Sequence, residues 1–143
     1  MGRKWLNSID LETDADGRPV IETALKALAG LTVEFLDAIP IEQAAEGRTV
    51  LKAGEQGKVL RLHGLVGTAS ADGSLTISRD DDGAGASEVA LTGAMPVSAL
   101  GGFVIPFAAH PAACPKAPAG KYLTLTTTDT TFHGYAIVSR ADQ

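Results

Sequence analysis

The chain has 143 residues and a formal net charge of −5, and 45% of its residues are hydrophobic while only 5% are aromatic. A chain of this length forms one domain that buries about two-thirds of the surface its unfolded form exposes. The acidic balance argues against a nucleic-acid-binding protein, since neutralising phosphates requires a basic face. A membrane span needs about 18 consecutive apolar residues, and the sequence contains no such stretch, so none is predicted.

The N-terminal segment, residues 1–19, is predicted to be an extended arm that ends in the turn-like residues 16–19. Polar residues follow Arg3 and Lys4 where a signal peptide has its apolar stretch, so the protein is expected to stay in the cytosol unless it leaves with a larger assembly. Trp5 is costly to leave in water. We expect its ring to dock either on the chain's own body or on a neighbouring molecule.

One short helix is predicted over residues 20–30. Ile21, Leu25 and Leu28 follow one another at spacings of four and three residues, which places them on one helical face. Gly30 is a natural C-terminal stop for such a helix. We expect its apolar stripe to pack on the core of a single domain that spans residues 20–143.

After Gly30 the hydrophobic pattern changes to a period of two, which is typical of strands with one buried face. The alternation is clearest at Leu60 and Leu62 and at Leu75 and Ile77. About eight short strands without a second helical pattern predict an all-β fold, either an antiparallel β-sandwich or a jelly-roll-like barrel. The other predicted strands cover residues 31–35, 48–52, 88–91, 102–107, 121–127 and 132–139.

Two connections are predicted from their turn residues. Asp72-Gly73 tolerates the positive φ angles of a tight hairpin, and we expect it to join the strand that starts near Lys58 to the strand at Leu75. Residues 108–120 contain three prolines, which cannot occupy a central strand. This stretch is therefore predicted to be a long loop across the surface.

The segment 89–128 contains no Asp or Glu, and its only formal charges are Lys116 and Lys121. An apolar, nearly uncharged surface is typical of the centre of a protein interface, although the same composition suits the inner strands of a sandwich. Both interpretations stay open at this point. The residues at 103–107 form a continuous apolar run rather than an alternating one, which favours an interface. The predicted contact residues are Trp5, Phe103, Ile105 and Phe107.

The acidic run at residues 80–82, followed by Gly83, resembles part of a calcium-binding loop. In that alignment, however, Ser78 occupies the position of the first acidic ligand and Val89 that of the bidentate Glu. Two carboxylates without the other ligands bind calcium weakly, so the run is interpreted as a solvated turn and no metal site is predicted.

No pattern in the sequence indicates catalysis. His63, His110 and His133 are far apart and form no zinc-binding pair, and Cys114 lies in a Pro/Ala-rich stretch with no base beside it in the sequence. No nucleophile elbow and no phosphate-binding loop is present. We therefore predict no catalytic residue and no cofactor, and we expect that the chain is not an enzyme.

The C-terminal third carries a family resemblance. It contains the segments Val104-Ile105-Pro106-Phe107, Ala119-Gly120-Lys121-Tyr122-Leu123-Thr124-Leu125 and Gly134-Tyr135-Ala136-Ile137-Val138, and earlier in the chain stands Thr49-Val50-Leu51-Lys52-Ala53-Gly54. The three C-terminal segments resemble the closing strands of small virion proteins of tailed bacteriophages. The T-V-L-x-A-G segment is similar to turns in capsid decoration proteins.

This resemblance implies a capsid decoration, cement or head-fibre-type protein that binds and stabilises the shell of the major capsid protein. It implies a homotrimer made in the host cytoplasm and located on the capsid surface of the virion. A carbohydrate- or host-surface-binding β-sandwich module is the alternative, although few aromatic rings are present on which a sugar could stack.

Overall fold

The computed structural model describes residues 35–107 and 110–143, and regular structure in this part is almost entirely antiparallel β-strand. The predicted arm at 1–19, with Trp5, and the predicted helix at 20–30 lie outside the described residues. The all-β prediction is confirmed. The strands are β1 (Phe35–Glu42), β2 (Gly47–Lys52), β3 (Lys58–Ala69), β4 (Gly73–Asp80), β5 (Val89–Ala90), β6 (Met95–Val97), β7 (Gly102–Pro106), β8 (Lys116–Ala117), β9 (Tyr122–Thr128) and β10 (Phe132–Asp142), and a 3-10 helix, Pro111–Ala113, precedes β8.

The strands form two antiparallel sheets that pack face to face as a sandwich. The first sheet has the order β1-β10-β3-β7, and β8 also pairs with β3. The second sheet has the order β2-β9-β4-β5, and β6 also pairs with β4. Strands β1 to β4 alternate between the sheets, and the last two strands pair with the first two. This strand order is that of a jelly roll.

Alternating side chains from the long strands build the core between the sheets. Strand β3 contributes Leu60, Leu62 and Leu65, and each fully buried Leu stabilises the fold by about 2 kcal/mol. The largest buried side chain is Phe132, whose ring centroid lies 5.5 Å from that of Phe103. The remaining core residues are Ile41, Leu51, Leu75, Ile77, Ala117, Leu123, Leu125, Ala136 and Val138.

Two glycines let β3 and β10 approach each other closely beside Phe132. Gly67 and Gly134 lie directly opposite each other in the register of the two strands. A Cβ atom on Gly134 would lie 2.0 Å from the carbonyl oxygen of Val66, and one on Gly67 would lie 2.8 Å from the Phe132 ring. The backbone would have to move to accept a side chain at Gly134, because its nearest neighbour is a main-chain atom.

The buried amide of Gln43 connects the end of β1 to three other strands. Its Nε2 donates to the carbonyl oxygen of Gly47 at 3.1 Å and to Oγ1 of Thr49 at 2.8 Å. Its Oε1 accepts from Oγ1 of Thr127 at 3.0 Å and from the backbone N–H of Phe132 at 2.9 Å. All the donors and acceptors of this amide are therefore used, which makes its burial favourable.

The hairpin predicted at Asp72-Gly73 is wrong. Strand β3 ends at Ala69 in the first sheet, and β4 begins at Gly73 in the second sheet, so this turn crosses between the sheets. The Asp72 carboxylate accepts a hydrogen bond from the backbone N–H of Ala99 at 2.7 Å. Neither Asp72 nor Gly73 adopts the positive φ angle that this type of tight hairpin uses.

The predicted strands at 48–52, 88–91, 102–107, 121–127 and 132–139 agree with the structure at their centres and differ at their limits. The predicted strand at 31–35 lies outside the described residues except for Phe35, where β1 begins. Strand β1 tolerates Pro40 because it is an edge strand with one unpaired side. Strand β6 was not predicted. Over residues 110–120 the predicted loop is confirmed apart from the 3-10 helix and the two-residue strand β8.

Candidate functional site

The predicted contact run at 103–107 alternates between the two sides of edge strand β7. Phe103 and Ile105 are half-buried and pack against the core, as does Phe107 just after the strand. Val104, between them, points outward and is 67% exposed. The expectation that this run is too continuous to alternate is therefore wrong. Trp5, the fourth predicted contact residue, lies outside the described residues.

Val104 belongs to an apolar surface on the outer side of the first sheet. The strand registers place it in one row with Val66, Tyr135 and Pro40, which are its successive neighbours across β3, β10 and β1. Tyr135 is 40% exposed and Pro40 is also exposed. The adjacent row consists of Pro106, Gly64, Ile137 and Ala38. We call these two rows the apolar outer face.

The apolar outer face carries no formal charge. On one side of it, Leu36 of β1 is 63% exposed, in a row that continues through Ser139 to the basic residues Arg61 and Lys116. The row on its other side is polar and contains Glu42 and His133, which lie opposite each other on β1 and β10. An exposed, uncharged surface of this kind, bordered by polar residues, is typical of a site where another molecule docks.

A second apolar feature lies between edge strands β6 and β7, where the sandwich opens to solvent. It is an open groove of about 240 Å³. Beside it, Leu100 is 83% exposed and has a φ angle of 57°, a left-handed conformation that is strained for a residue with a large side chain. The groove is lined by Pro96, Val97, Ser98, Gly101, Gly102, Phe103 and Ile105.

The outer side of the second sheet carries mostly hydroxyl groups, together with Val50, which is 40% exposed and lies opposite Thr124. Three register pairs between β4 and β9 supply the hydroxyl groups, and the 80–88 loop lies over part of this surface. The Glu88 carboxylate accepts hydrogen bonds from the hydroxyls of Thr124 at 3.2 Å and Thr126 at 3.3 Å. The three pairs are Ser74 with Thr128, Thr76 with Thr126, and Ser78 with Thr124.

The acidic run at 80–82 organises this loop through hydrogen bonds within the loop. Asp80, which is almost fully buried, accepts from the backbone N–H groups of Asp81 and Gly85 and from the hydroxyl of Ser87. Burial opposes ionisation of Asp80, but these hydrogen bonds to the carboxylate outweigh it and lower its pKa. A hydrogen bond from Lys121 Nζ, at 2.7 Å, lowers the pKa of Asp81. The carboxylate of Asp80 is thus occupied by the loop itself.

Cys114 has a histidine beside it, contrary to the expectation drawn from the sequence. Its Sγ lies 3.8 Å from Nδ1 of His63, whose Nε2 is 2.8 Å from Oγ of Ser139. Burial, together with the positive charge of Arg61, lowers the pKa of His63 and so favours the neutral imidazole. A neutral imidazole can accept a proton from a thiol, but Cys114 is only 4% exposed. Sequence reasoning missed this contact because the two residues are 51 positions apart.

Within residues 35–107 and 110–143, no three His, Cys, Asp or Glu side chains are grouped so that they could hold a metal ion. The same part of the chain contains no helix that is long and apolar enough to cross a membrane. The fold and the exposed surfaces define a jelly-roll β-sandwich with an apolar outer face and an apolar groove. Comparison with protein families, curated proteins and solved structures finds no match to this chain.

Proposed function

We propose that this chain is a structural protein of a bacteriophage virion, of the capsid decoration, cement or head-fibre type. It binds the shell of the major capsid protein on the capsid surface and stabilises that shell as a homo-oligomer, a trimer in the family that its C-terminal segments resemble. The proposal assigns no reaction to the chain. The chain stabilises the shell by burying surface between its many copies and the shell, and multivalency increases the combined effect of these contacts.

The observation that carries the proposal is the apolar outer face of the first sheet. An acidic chain that exposes Val104 and Tyr135 in a row without formal charges has a surface suited to burial against a protein partner. Jelly-roll sandwiches are common in viral capsids, which adds an argument from fold alone.

A sedimentation experiment tests the proposal. The purified chain is mixed with assembled shells of the major capsid protein encoded by the same genome, and the fraction that pellets with the shells is measured over a concentration series. We expect saturable binding with a fixed number of copies per shell. Absence of the chain from the pellet at every concentration would refute the proposal.

A matched pair of variants locates the contact. Val104→Asp places a charge in the apolar outer face, and we expect it to weaken shell binding about tenfold or more because the carboxylate would be buried without a partner. Val89→Asp makes the same change on the second sheet, at a residue that is 46% exposed. We expect that variant to bind like the unmodified chain. Equal losses in both variants would contradict the assignment of this face.

A carbohydrate- or host-surface-binding module is the second candidate, and the exposed ring of Tyr135 favours it, since sugars stack on exposed aromatic rings. A glycan array tests this candidate directly. A positive signal that is lost in Tyr135→Ala, together with no binding to shells, would establish it in place of the first. An array without signal would reject it.

A further inference from the structure

The side chain of Leu100 is held away from its own molecule by the backbone. Its N–H donates to the carbonyl oxygen of Ala69 at 2.8 Å, and the neighbouring Ala99 N–H donates to the Asp72 carboxylate at 2.7 Å. Ala69 and Ala99 also form an isolated parallel bridge. These contacts keep Leu100 at a positive φ, where a glycine would be unstrained. The chain therefore presents a large apolar side chain at a fixed position in solvent.

The groove between β6 and β7 has the size and chemistry to receive such a side chain. Its volume of about 240 Å³ exceeds that of one leucine side chain, and its lining is mostly apolar, including Pro96, Val97, Phe103 and Ile105. Leu100 is adjacent in sequence to the groove residue Gly101 but does not line the groove of its own molecule. The projecting side chain and the groove thus lie next to each other on one surface.

A second copy of this chain can supply the occupant, because its exposed Leu100 is an apolar side chain that suits the mostly apolar lining of the groove. Two copies that each carry a net charge of −5 repel each other, so they associate most easily where few charges lie. Residues 89–115, which include Leu100 and the whole lining of the groove, contain no Asp, Glu, Lys or Arg. The Asp72 carboxylate, which accepts a hydrogen bond from the Ala99 N–H, borders Leu100 but does not line the groove.

We propose that the Leu100 side chain of one copy inserts into the β6–β7 groove of a second copy. This inference rests on the self-association in the proposed function and names the contact that produces it. A knob and a hole that lie side by side on one chain can be exchanged reciprocally in a twofold dimer, or can form a heterologous contact that closes into a ring when the rotation between copies permits it. The apolar outer face is not used by this contact and stays available for the shell.

Light scattering coupled to size-exclusion chromatography, over a range of concentrations, measures the association. We expect the unmodified chain to be oligomeric. Leu100→Gly removes the knob and suits the left-handed backbone, so this variant should be folded and at least as resistant to heat. We expect its association to be about 30-fold weaker, which is the effect of losing one interface hot spot. A chain that is monomeric without modification, or Leu100→Gly with unchanged association, would overturn the proposal.

A second variant blocks the other partner of the contact. Ser98 is exposed at the edge of the groove, and Ser98→Trp fills the groove while leaving Leu100 in place. We expect this variant to be monomeric as well. A mixture of the two variants contains one intact contact, because Ser98→Trp still carries the Leu100 side chain and Leu100→Gly still has an open groove. The mixture should therefore form a one-to-one dimer and nothing larger, and a mixture that stays monomeric would contradict the contact.

Leu36→Asp is the control variant. It changes another exposed leucine, beside the apolar outer face, and leaves Leu100 and the groove intact. We expect it to associate like the unmodified chain. Binding of each variant to shells separates the two proposals, since Leu100→Gly should still reach the shell as a weaker, monomeric binder. Loss of association with shell binding retained would support both proposals, whereas normal association without any shell binding would refute only the proposed function.

Discussion

The outer sides of the two sheets differ in the side chains that they expose. On the second sheet, hydroxyl groups face outward and the 80–88 loop of the same chain covers part of them, with Glu88 accepting hydrogen bonds from Thr124 and Thr126. On the first sheet, Val104 and Tyr135 stand exposed in uncharged rows. Both sheets contribute apolar side chains to the core from their inner sides, so the core does not require this difference.

This difference indicates which outer side is stable in water without a partner. A hydroxyl-rich side is satisfied by water or by its own loop, so exposing it costs little free energy. Each Å² of apolar surface left in water costs about 25 cal/mol of free energy, and covering the apolar outer face with a partner removes that cost. The first sheet is therefore the side on which a partner is expected, and the following variants test that contrast.

The largest loss of stability is expected at Gly134, where β3 and β10 of the first sheet approach each other closely. Gly134→Ala should lower the free energy of unfolding by about 3 kcal/mol, because its Cβ would overlap the Val66 carbonyl oxygen. Gly102→Ala is the matched control in the same sheet, since no atom lies within 4 Å of the added Cβ. Urea denaturation of both variants measures the difference. Equal losses would show that the close approach of β3 and β10 does not govern stability.

A smaller loss is expected at the polar connection between the sheets. Gln43→Ala removes the acceptor for the buried Phe132 N–H and leaves the Thr127 hydroxyl with only the Gly47 carbonyl oxygen, at 3.3 Å, as its acceptor. We expect a loss of about 2 kcal/mol. Thermal and urea unfolding measure it, with Glu42→Ala, the exposed neighbour, as a control that should change stability by less than about 0.5 kcal/mol. If Gln43→Ala were as stable as that control, the amide would not be holding the two sheets together.

The loop over the second sheet should respond to acid. The folded pKa values of Asp80 and Asp81 are lower than the ordinary value, near 3.9 for an unfolded Asp. Their ionised forms therefore stabilise the folded state above about pH 4, and this contribution is lost as the pH falls through the lowered values. Melting temperature measured from pH 6 downward should decline at acid pH.

The double variant Asp80→Asn with Asp81→Asn identifies the source of that decline. It should be less stable than the unmodified chain at pH 6, and the difference should shrink at acid pH. A constant difference at every pH would show that the two carboxylates do not titrate with lowered pKa values. Hydrogen exchange at Gly85, whose N–H donates to Asp80 at 2.6 Å, reports the loop directly.

The smallest effect on stability is expected at the apolar outer face itself. Val104→Thr should change the free energy of unfolding by less than about 0.5 kcal/mol, because the side chain is exposed and supports no core contact. Binding of a hydrophobic dye to the folded protein should nevertheless decrease. A large loss of stability would mean that the face contributes to the fold of one molecule, and the contrast between the two sheets would disappear.

The sequence predicted more of the fold than of the surfaces. Alternation at Leu60, Leu62, Leu75 and Ile77 placed strands and buried sides correctly, since side-chain period is a local property. The expectation at 103–107 failed because every residue of that run is apolar, and hydrophobicity alone does not show which side chain points outward. The part of β1 after Phe35 was not predicted: Pro40 is tolerated only because the strand lies at an edge, which no local pattern reveals.

By itself, the sequence determined the class of the fold, because the alternation of side chains along each strand is a consequence of backbone geometry. Only the tertiary structure decided which strands pair, that the turn at Asp72-Gly73 crosses between sheets, and that His63 meets Cys114 across 51 positions. It also decided which outer side is covered and which stays open. Such relations depend on contacts between distant residues, and burying the apolar sides of all strands together is what brings those residues into contact.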